Sequence, residues 1–186
     1  VTPTFEKKMT LKENSKFLSY VLRHKPDAIG VVLDAQGWVP VATLLERVAA
    51  SGQPMTETEL IEIVATSDKK RFTLSPDGRT IRAAQGHSVQ VNLALPPGLP
   101  PARLFHGTSE ASLEAILCEG LKPGRRLQVH LSRDRETAIK VGQRHGKPVV
   151  LTVDTERMRQ AGHVFYQAEN GTWLTDQVPS EFLTKP

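Results

Sequence analysis

"LALPPGLPPARL", Leu93 to Leu104, is the stretch that organises this chain. It holds four prolines and a glycine in twelve residues. Proline lacks an amide donor and fixes its own φ, so neither a helix nor a central strand can run through it. It reads as a linker between two segments of nearly equal length, 1–95 and 96–186. A chain of 186 residues accommodates two small domains, each able to bury its own core.

On the N-terminal side, Phe17, Leu18, Val21 and Leu22 recur at helical spacing, and Pro26 stops the helix just after Arg23-His24-Lys25. "GVVLD", Gly30 to Asp34, predicts a short strand, followed by a turn and Trp38. Val41, Leu44, Leu45 and Val48 mark a second helix. "TETE", Thr56 to Glu59, has capping-box spacing and opens a third through Leu60, Ile63 and Val64. "RFTLSPDGRTIRA", Arg71 to Ala83, predicts a hairpin around Ser-Pro-Asp-Gly. Three helices and then a hairpin is the order of a winged helix-turn-helix, a module that serves nucleic-acid and protein binding alike.

On the C-terminal side, "RLFHGT", "VHLS" and "PVVLTVD" read as strands. Leu113, Ile116 and Leu117 suggest a helix ending at Gly120. "DRETAIKVGQRHG" and "TERMRQAG" are helical, and "HVFYQAENGTWLTDQV" forms a hairpin turned on Asn170-Gly171. The expected class is α+β with a mostly antiparallel sheet.

Composition narrows the function. One cysteine, Cys118, excludes an intramolecular disulfide and a cysteine zinc site. Six histidines stand singly, without H-E-x-x-H or H-x-H, so no metal is expected. No apolar run is long enough to span a bilayer, and "VTPTFEKKMT" lacks a signal-peptide core, so the expected setting is cytoplasmic, with no membrane contact. The formal net charge is +4. Each half carries 12 Lys+Arg against 10 Asp+Glu. An anionic partner would therefore be met by local clusters rather than a global field. No G-x-G-x-x-G or G-x-S-x-G occurs, and "GQRHGK", Gly142 to Lys147, is one residue short of a P-loop.

Local clusters of cations remain: Arg23-His24, Arg71 in "SDKKRF", and Arg125-Arg126 in "KPGRRLQVHLS". Taken singly, each has an ordinary explanation: a helix C-terminus complemented by charge, a solvated turn, a loop pair. "FHGTS", Phe105 to Ser109, joins a strand-end histidine to a glycine and two hydroxyls just before a helix N-terminus. "VHLS", Val129 to Ser132, and "QGHS", Gln85 to Ser88, repeat the histidine–serine association. A satisfied core histidine is the plain alternative for each.

The order of the motifs is more specific than any one of them. "SKFLSYVLRHKP", "ATSDKKRF", "IRAAQGHS", "LFHGTS", "VHLS", "GKPVVLTVD" and "ENGTWLT" follow one another over roughly residues 11 to 183. In this the chain resembles the RNA 2′-phosphotransferase family, the KptA-type enzymes. The resemblance implies a winged-helix lobe, residues 1–95, that holds RNA with an internal 2′-phosphate, as in a tRNA-like substrate. It implies an ADP-ribosyltransferase-like lobe, residues 96–186, that holds NAD⁺ as co-substrate. It implies two steps. The 2′-phosphate first displaces nicotinamide from NAD⁺. The ribose 2″-hydroxyl then attacks phosphorus, releasing 2′-OH RNA and ADP-ribose 1″,2″-cyclic phosphate.

The family's catalytic set falls on Arg23, His24, Arg71 and Arg126, with Arg125 an adjacent rival. The family's Arg four residues before the histidine of "VHLS" selects Arg126. The NAD⁺ contacts fall on His106, Gly107 and Thr108, and on His130 and Ser132. Glu169, near the position where many ADP-ribosyltransferases carry a glutamate, sits in the Asn170-Gly171 turn and is not assigned. Arginine forks match phosphate oxygens and stay protonated, and His24 can donate to the phosphate or move a proton. Two other readings use parts of the same set. One is an ADP-ribosyltransferase that stops after the first step on phosphate ends of RNA or DNA. The other is a non-catalytic winged-helix sensor of NAD⁺. No protein partner is indicated, and a monomer suffices.

Overall fold

The computed structural model describes residues 9–186; the first eight residues, part of the stretch read as lacking a signal-peptide core, lie outside it. The chain divides into two compact units between Leu93 and Ala94. It mixes helices with three antiparallel sheets of three strands each. Among the described residues, no helix is long and apolar enough to cross a membrane.

In the N-terminal unit, helix α1 (Leu11–Arg23) opens on a capping box. The Glu13 carboxylate accepts from the Thr10 amide at 2.8 Å, and the Glu13 amide donates to the Thr10 hydroxyl at 3.3 Å. Its buried stripe includes Leu18, Val21 and Leu22. The helix stops ahead of Pro26, and the His24 and Lys25 amides both donate to the Tyr20 carbonyl, at 3.0 and 3.1 Å. Helix α2 (Val41–Ala50) buries Val41, Leu44 and Val48. Helix α3 (Glu57–Thr66) starts on a second capping box, Thr56 with Glu59, and buries Leu60 and Ile63. Strands β1 (Val39–Pro40), β2 (Phe72–Leu74) and β3 (Thr80–Ala83) form a sheet in the order β1-β3-β2. Phe72 and Ile81 join the three helices in one core. Truncating any of its buried leucines to alanine would cost about 2–5 kcal/mol.

One sequence expectation fails here. Gly30 to Asp34 is not a strand. The Val31 amide is taken by the Pro26 carbonyl at 2.9 Å, which ties the segment to the preceding 3-10 turn, Pro26–Ile29. Val31 is buried while Val32 is 83% exposed. The apolar alternation therefore reports packing without a ladder. Asp34 then accepts from the Gln36 and Trp38 amides, each at 2.8 Å. That turn delivers Val39–Pro40 to pair with β3 instead.

In the C-terminal unit, β4 (Arg103–Ser109) pairs along its whole length with β6 (Pro148–Asp154). The other edge of β6 takes β9 (Leu183–Thr184), a strand that the sequence reading did not anticipate. The second sheet runs β5 (Val129–Leu131), β8 (Trp173–Thr175), β7 (Tyr166–Gln167). The two sheets are joined where the Phe105 amide donates to the Ser132 carbonyl at 2.9 Å and the Ser132 amide returns to Phe105 at 2.7 Å. Leu104, Val129, Leu131, Phe165 and Trp173 fill the core. Helix α4 (Glu110–Glu119) follows β4 and ends at Gly120, α5 (Arg135–Gly142) follows β5, and α6 (Thr155–Gln160) follows β6. The linker is laid on this unit: the Gly98 amide donates to the Phe165 carbonyl at 2.8 Å.

Candidate active site

In the N-terminal unit, Arg23, His24 and Arg71 come together although 48 residues separate the two arginines. Three elements hold them. The end of α1 supplies Arg23 and His24. The turn before β2 supplies Arg71, whose carbonyl accepts from Arg23 Nη2 at 3.5 Å. The same carbonyl accepts from the Ala84 amide at 2.9 Å, so the arginine contact is built on the end of the β2–β3 hairpin. The loop Gln85–Ser88 closes the set from the other side. The Ser88 amide donates to the Arg23 carbonyl at 2.9 Å, and the Ser88 hydroxyl meets His24 Nδ1 at 2.9 Å. Gly86, at φ 89°, carries the loop past Arg23; a side chain there would need a backbone that L-residues rarely adopt. Lys70, at φ 40°, is a non-glycine residue held in the left-handed region immediately before Arg71.

Behind these cations lies His87. It is 2% exposed, and its Nε2 is buried with no hydrogen-bond partner. Burial, followed by the charges of Arg23, His24 and Arg82, pushes its pKa down to about 4. A neutral imidazole thus backs a cationic surface. Arg82 is buried too, with its guanidinium 4.5 Å from the centre of the Trp38 ring and Nη1 donating to the Leu93 carbonyl at 3.1 Å.

In the C-terminal unit, His106 on β4 and His130 on β5 meet across the junction of the two sheets. His106 Nδ1 lies 3.1 Å from the His130 carbonyl, which can only accept, so His106 carries its proton on Nδ1. Burial lowers the His106 pKa, partly offset by that hydrogen bond, and the charges of Arg126 and His145 lower it further. It is therefore neutral near pH 7, with Nε2 left as an acceptor. His130 has the opposite tautomer. Its Nδ1 lies 2.6 Å from Arg126 Nη1, and a guanidinium has no acceptor, so Nδ1 takes the hydrogen bond and Nε2 carries the proton. Desolvation of the guanidinium, then Arg144, lowers the Arg126 pKa, but arginine remains charged in a protein. The adjacent histidines thus present one acceptor and one donor.

Gly107 has a different task. A Cβ on it would overlap the backbone carbonyl of Ala138, and one on Gly142 would lie 2.7 Å from the Thr108 carbonyl. The two glycines let α5 lie directly on β4. Gly107 is therefore required for helix–strand contact. Thr108 and Ser109 are buried beyond His106, and the first amide of α4, that of Glu110, is already taken by the Lys147 carbonyl at 2.9 Å. Ser132 serves through its backbone in the bridge to Phe105. Among the described residues, no three His, Cys, Asp or Glu gather as a metal-binding set.

The profile of the "RNA 2′-phosphotransferase, Tpt1 / KptA family" matches residues 9–177. The chain belongs to this family. Among similar proteins, a probable RNA 2′-phosphotransferase of Agrobacterium fabrum is 65% identical over 170 residues, 91% of each chain. Proteins of the same description from Hahella chejuensis and Streptomyces coelicolor are each 52% identical, over 94% of both chains and over 92% and 93% respectively. For this RNA 2′-phosphotransferase family member, two features escaped sequence reasoning. Arg144 and His145 act electrostatically on Arg126 and His106 from the 3-10 turn after α5. They sit in "GQRHGK", whose failure as a P-loop concealed a cationic turn. The support of His24 by Ser88 was carried only as a motif, because a contact across 64 residues has no local signature.

Proposed function

We propose that this chain is an NAD⁺-dependent RNA 2′-phosphotransferase, with a winged-helix RNA-binding unit and an ADP-ribosyltransferase-like NAD⁺-binding unit. The observation that carries the reading is the joining of Arg23, His24 and Arg71 by backbone carbonyls and Ser88. Such a set is held before any ligand arrives, so little ordering cost falls on binding. A 2′-phosphomonoester carries about −1.5 to −2 charges near neutral pH, and arginine forks are suited to its oxygens.

In this proposal Arg23 and Arg71 grip the phosphate, and His24 donates to it. Arg126 is the fourth catalytic group. His106 and His130 meet the ribose hydroxyls of NAD⁺, since a neutral acceptor and a donor side by side suit groups that both give and take hydrogen bonds. Arg144 favours the dinucleotide's negative charge. A phosphate oxygen forms a bond to the anomeric carbon of the nicotinamide ribose, and nicotinamide leaves with the bonding pair. The neighbouring 2″-hydroxyl then attacks phosphorus, and the RNA 2′-oxygen departs and takes up a proton. The arginines stabilise the charge that gathers on phosphorus in this second step.

Incubation with NAD⁺ and a short 2′-phosphorylated RNA tests the proposal. The expected products are 2′-OH RNA, nicotinamide and ADP-ribose 1″,2″-cyclic phosphate. RNA that keeps an ADP-ribosyl phosphate as the end product would replace the proposal with a one-step ADP-ribosyltransferase. NAD⁺ binding without any nucleic-acid product would replace it with a sensor.

A further inference from the structure

We infer that the N-terminal unit carries a second anion site, a groove for the phosphodiester backbone of the RNA strand flanking the 2′-phosphate; this rests on the reading of Arg23, His24 and Arg71 as the 2′-phosphate site. The groove has a volume of about 350 Å³ and lies between α1 and the turn after α3. Lys12 and Lys16 line one wall, Ser67, Lys69 and Arg71 the other, and among the described residues Asp68 is the one carboxylate of the lining. Among those residues, four cations meet one anion, a local excess in a unit whose overall charge is nearly balanced.

Helix geometry aligns this excess with the proposed phosphate grip. At 100° per residue, Lys12, Lys16 and Arg23 fall within an arc of about 40° on α1, spread over roughly 16 Å of its axis. The stripe leads from the groove to the 2′-phosphate site. Arg71 belongs to both: it lines the groove, its Nη1 donates to Ser67 at 3.4 Å, and its carbonyl receives Arg23. Lys70 closes the turn that carries two of these cations, its amide donating to the Ser67 carbonyl at 2.9 Å. It is one of two non-glycine residues with positive φ among those described, and it stands between Lys69 and Arg71. Backbone strain of this kind persists where the surrounding structure demands it.

A chain of cations on one helix face, open to solvent, suits a polyanionic backbone read through charge rather than sequence. The enzyme would therefore prefer a 2′-phosphate within a strand over the same group on an isolated dinucleotide.

The test uses the full chain with Lys12→Ala and Lys16→Ala combined, and Arg79→Ala as a control for loss of an exposed cation elsewhere in the unit, since Arg79 is 87% exposed on the hairpin turn. Kinetics on a 2′-phosphorylated dinucleotide and on a longer 2′-phosphorylated oligoribonucleotide would be measured. Alongside them, the salt dependence of binding to an unphosphorylated oligoribonucleotide would be followed by fluorescence anisotropy. The double variant should raise KM for the longer substrate roughly tenfold and lower the salt slope by about 1.4, two contacts at about 0.7 each. Its kcat and KM on the dinucleotide should equal those of the wild type, and Arg79→Ala should change neither. An unchanged salt slope and unchanged KM for the longer RNA would overturn the inference. So would an equal loss on both substrates, which would place the lysines at the 2′-phosphate itself. If the wild type removed no 2′-phosphate from either substrate, the proposed function would fail, and the anisotropy arm would still judge the groove.

Discussion

The two units solve opposite electrostatic problems. In the N-terminal unit, the Arg23 guanidinium donates to the Arg71 carbonyl and that of Arg71 to the Ser67 hydroxyl, and the buried histidine beside them is kept uncharged by burial. In the C-terminal unit, the His106 ring donates to the backbone carbonyl of His130 from one strand to another, and Arg126 fixes the tautomer of His130. One surface concentrates permanent charge. The other arranges neutral donors and acceptors beside a charge. The two arrangements cannot easily be built on one element. A helix end with loops offers cations, whereas paired strands offer fixed directions.

The largest effect should come from the charged surface. Arg71→Ala, and to a lesser degree Arg23→Ala, should lower turnover by about 10²–10³. In the proposed two-step course charge gathers on phosphorus in the second step, so ADP-ribosylated RNA should accumulate after nicotinamide is released. Time-resolved gels of labelled 2′-phospho-RNA would show it. Arg71→Lys should not restore activity, since an ammonium lacks the planar fork. Equal slowing of both steps, with no intermediate at any time, would make the arginines substrate-binding groups only.

Stability separates the units next. Each holds one tryptophan, Trp38 and Trp173, so each Trp→Phe variant leaves a single reporter, confined to one unit. Gly107→Ala would force α5 off β4, and the transition seen by Trp173 should lose about 3 kcal/mol or more. The Trp38 transition should not move. A shift in both would show that the units do not unfold independently.

Acid should strike the N-terminal unit through His87. Its folded pKa of about 4 lies below the ordinary 6.5. The unfolded chain therefore binds the proton first, and stability present above pH 6.5 is lost as pH falls toward 4, by about 3 kcal/mol in all. His87→Gln should flatten that slope in a Trp38 denaturation series. His106 acts with the same sign in the other unit, its pKa also being lowered by burial.

Ligand linkage follows. At about 100 times its dissociation constant, NAD⁺ should stabilise the C-terminal unit by ~2.7 kcal/mol. His106→Ala should reduce this thermal shift, and Arg23→Ala should leave it intact. Equal losses would remove the division of labour between the units. The smallest effect is local. Thr56→Ala removes the α3 cap and should cost the Trp38 transition about 1 kcal/mol, with turnover unchanged.

Sequence patterns carried the elements that are long, periodic or closed by a local turn. The β2–β3 hairpin pairs Phe72 with Ala83 around the expected turn, and the β7–β8 hairpin folds on Asn170-Gly171. What escaped were pairings decided at a distance. Val39–Pro40 and Leu183–Thr184 are strands of two residues, too short to show alternation, and each exists because a distant edge accepts it. The candidate site divides the same way. Arg23, His24, Arg71 and Arg126 could be named from motifs in order. That Gly107 makes room for a helix, that Arg126 sets the tautomer of His130, and that Arg144 and His145 lie nearby depend on α5 crossing β4. No stretch of sequence records that crossing.

The pairing of β6 with β9 also bears on the order of events in folding. The N-terminal sheet closes largely through a hairpin, so its strands find each other soon after they exist. The C-terminal sheet joins Arg103–Ser109, Pro148–Asp154 and Leu183–Thr184, and its edge is filled last of all. Closing such long loops is slow, because chain entropy is lost before the contacts that reward it form. Refolding seen by Trp173 should lag behind that seen by Trp38. A nascent chain would then hold a finished N-terminal core while β6 still lacked its last partner.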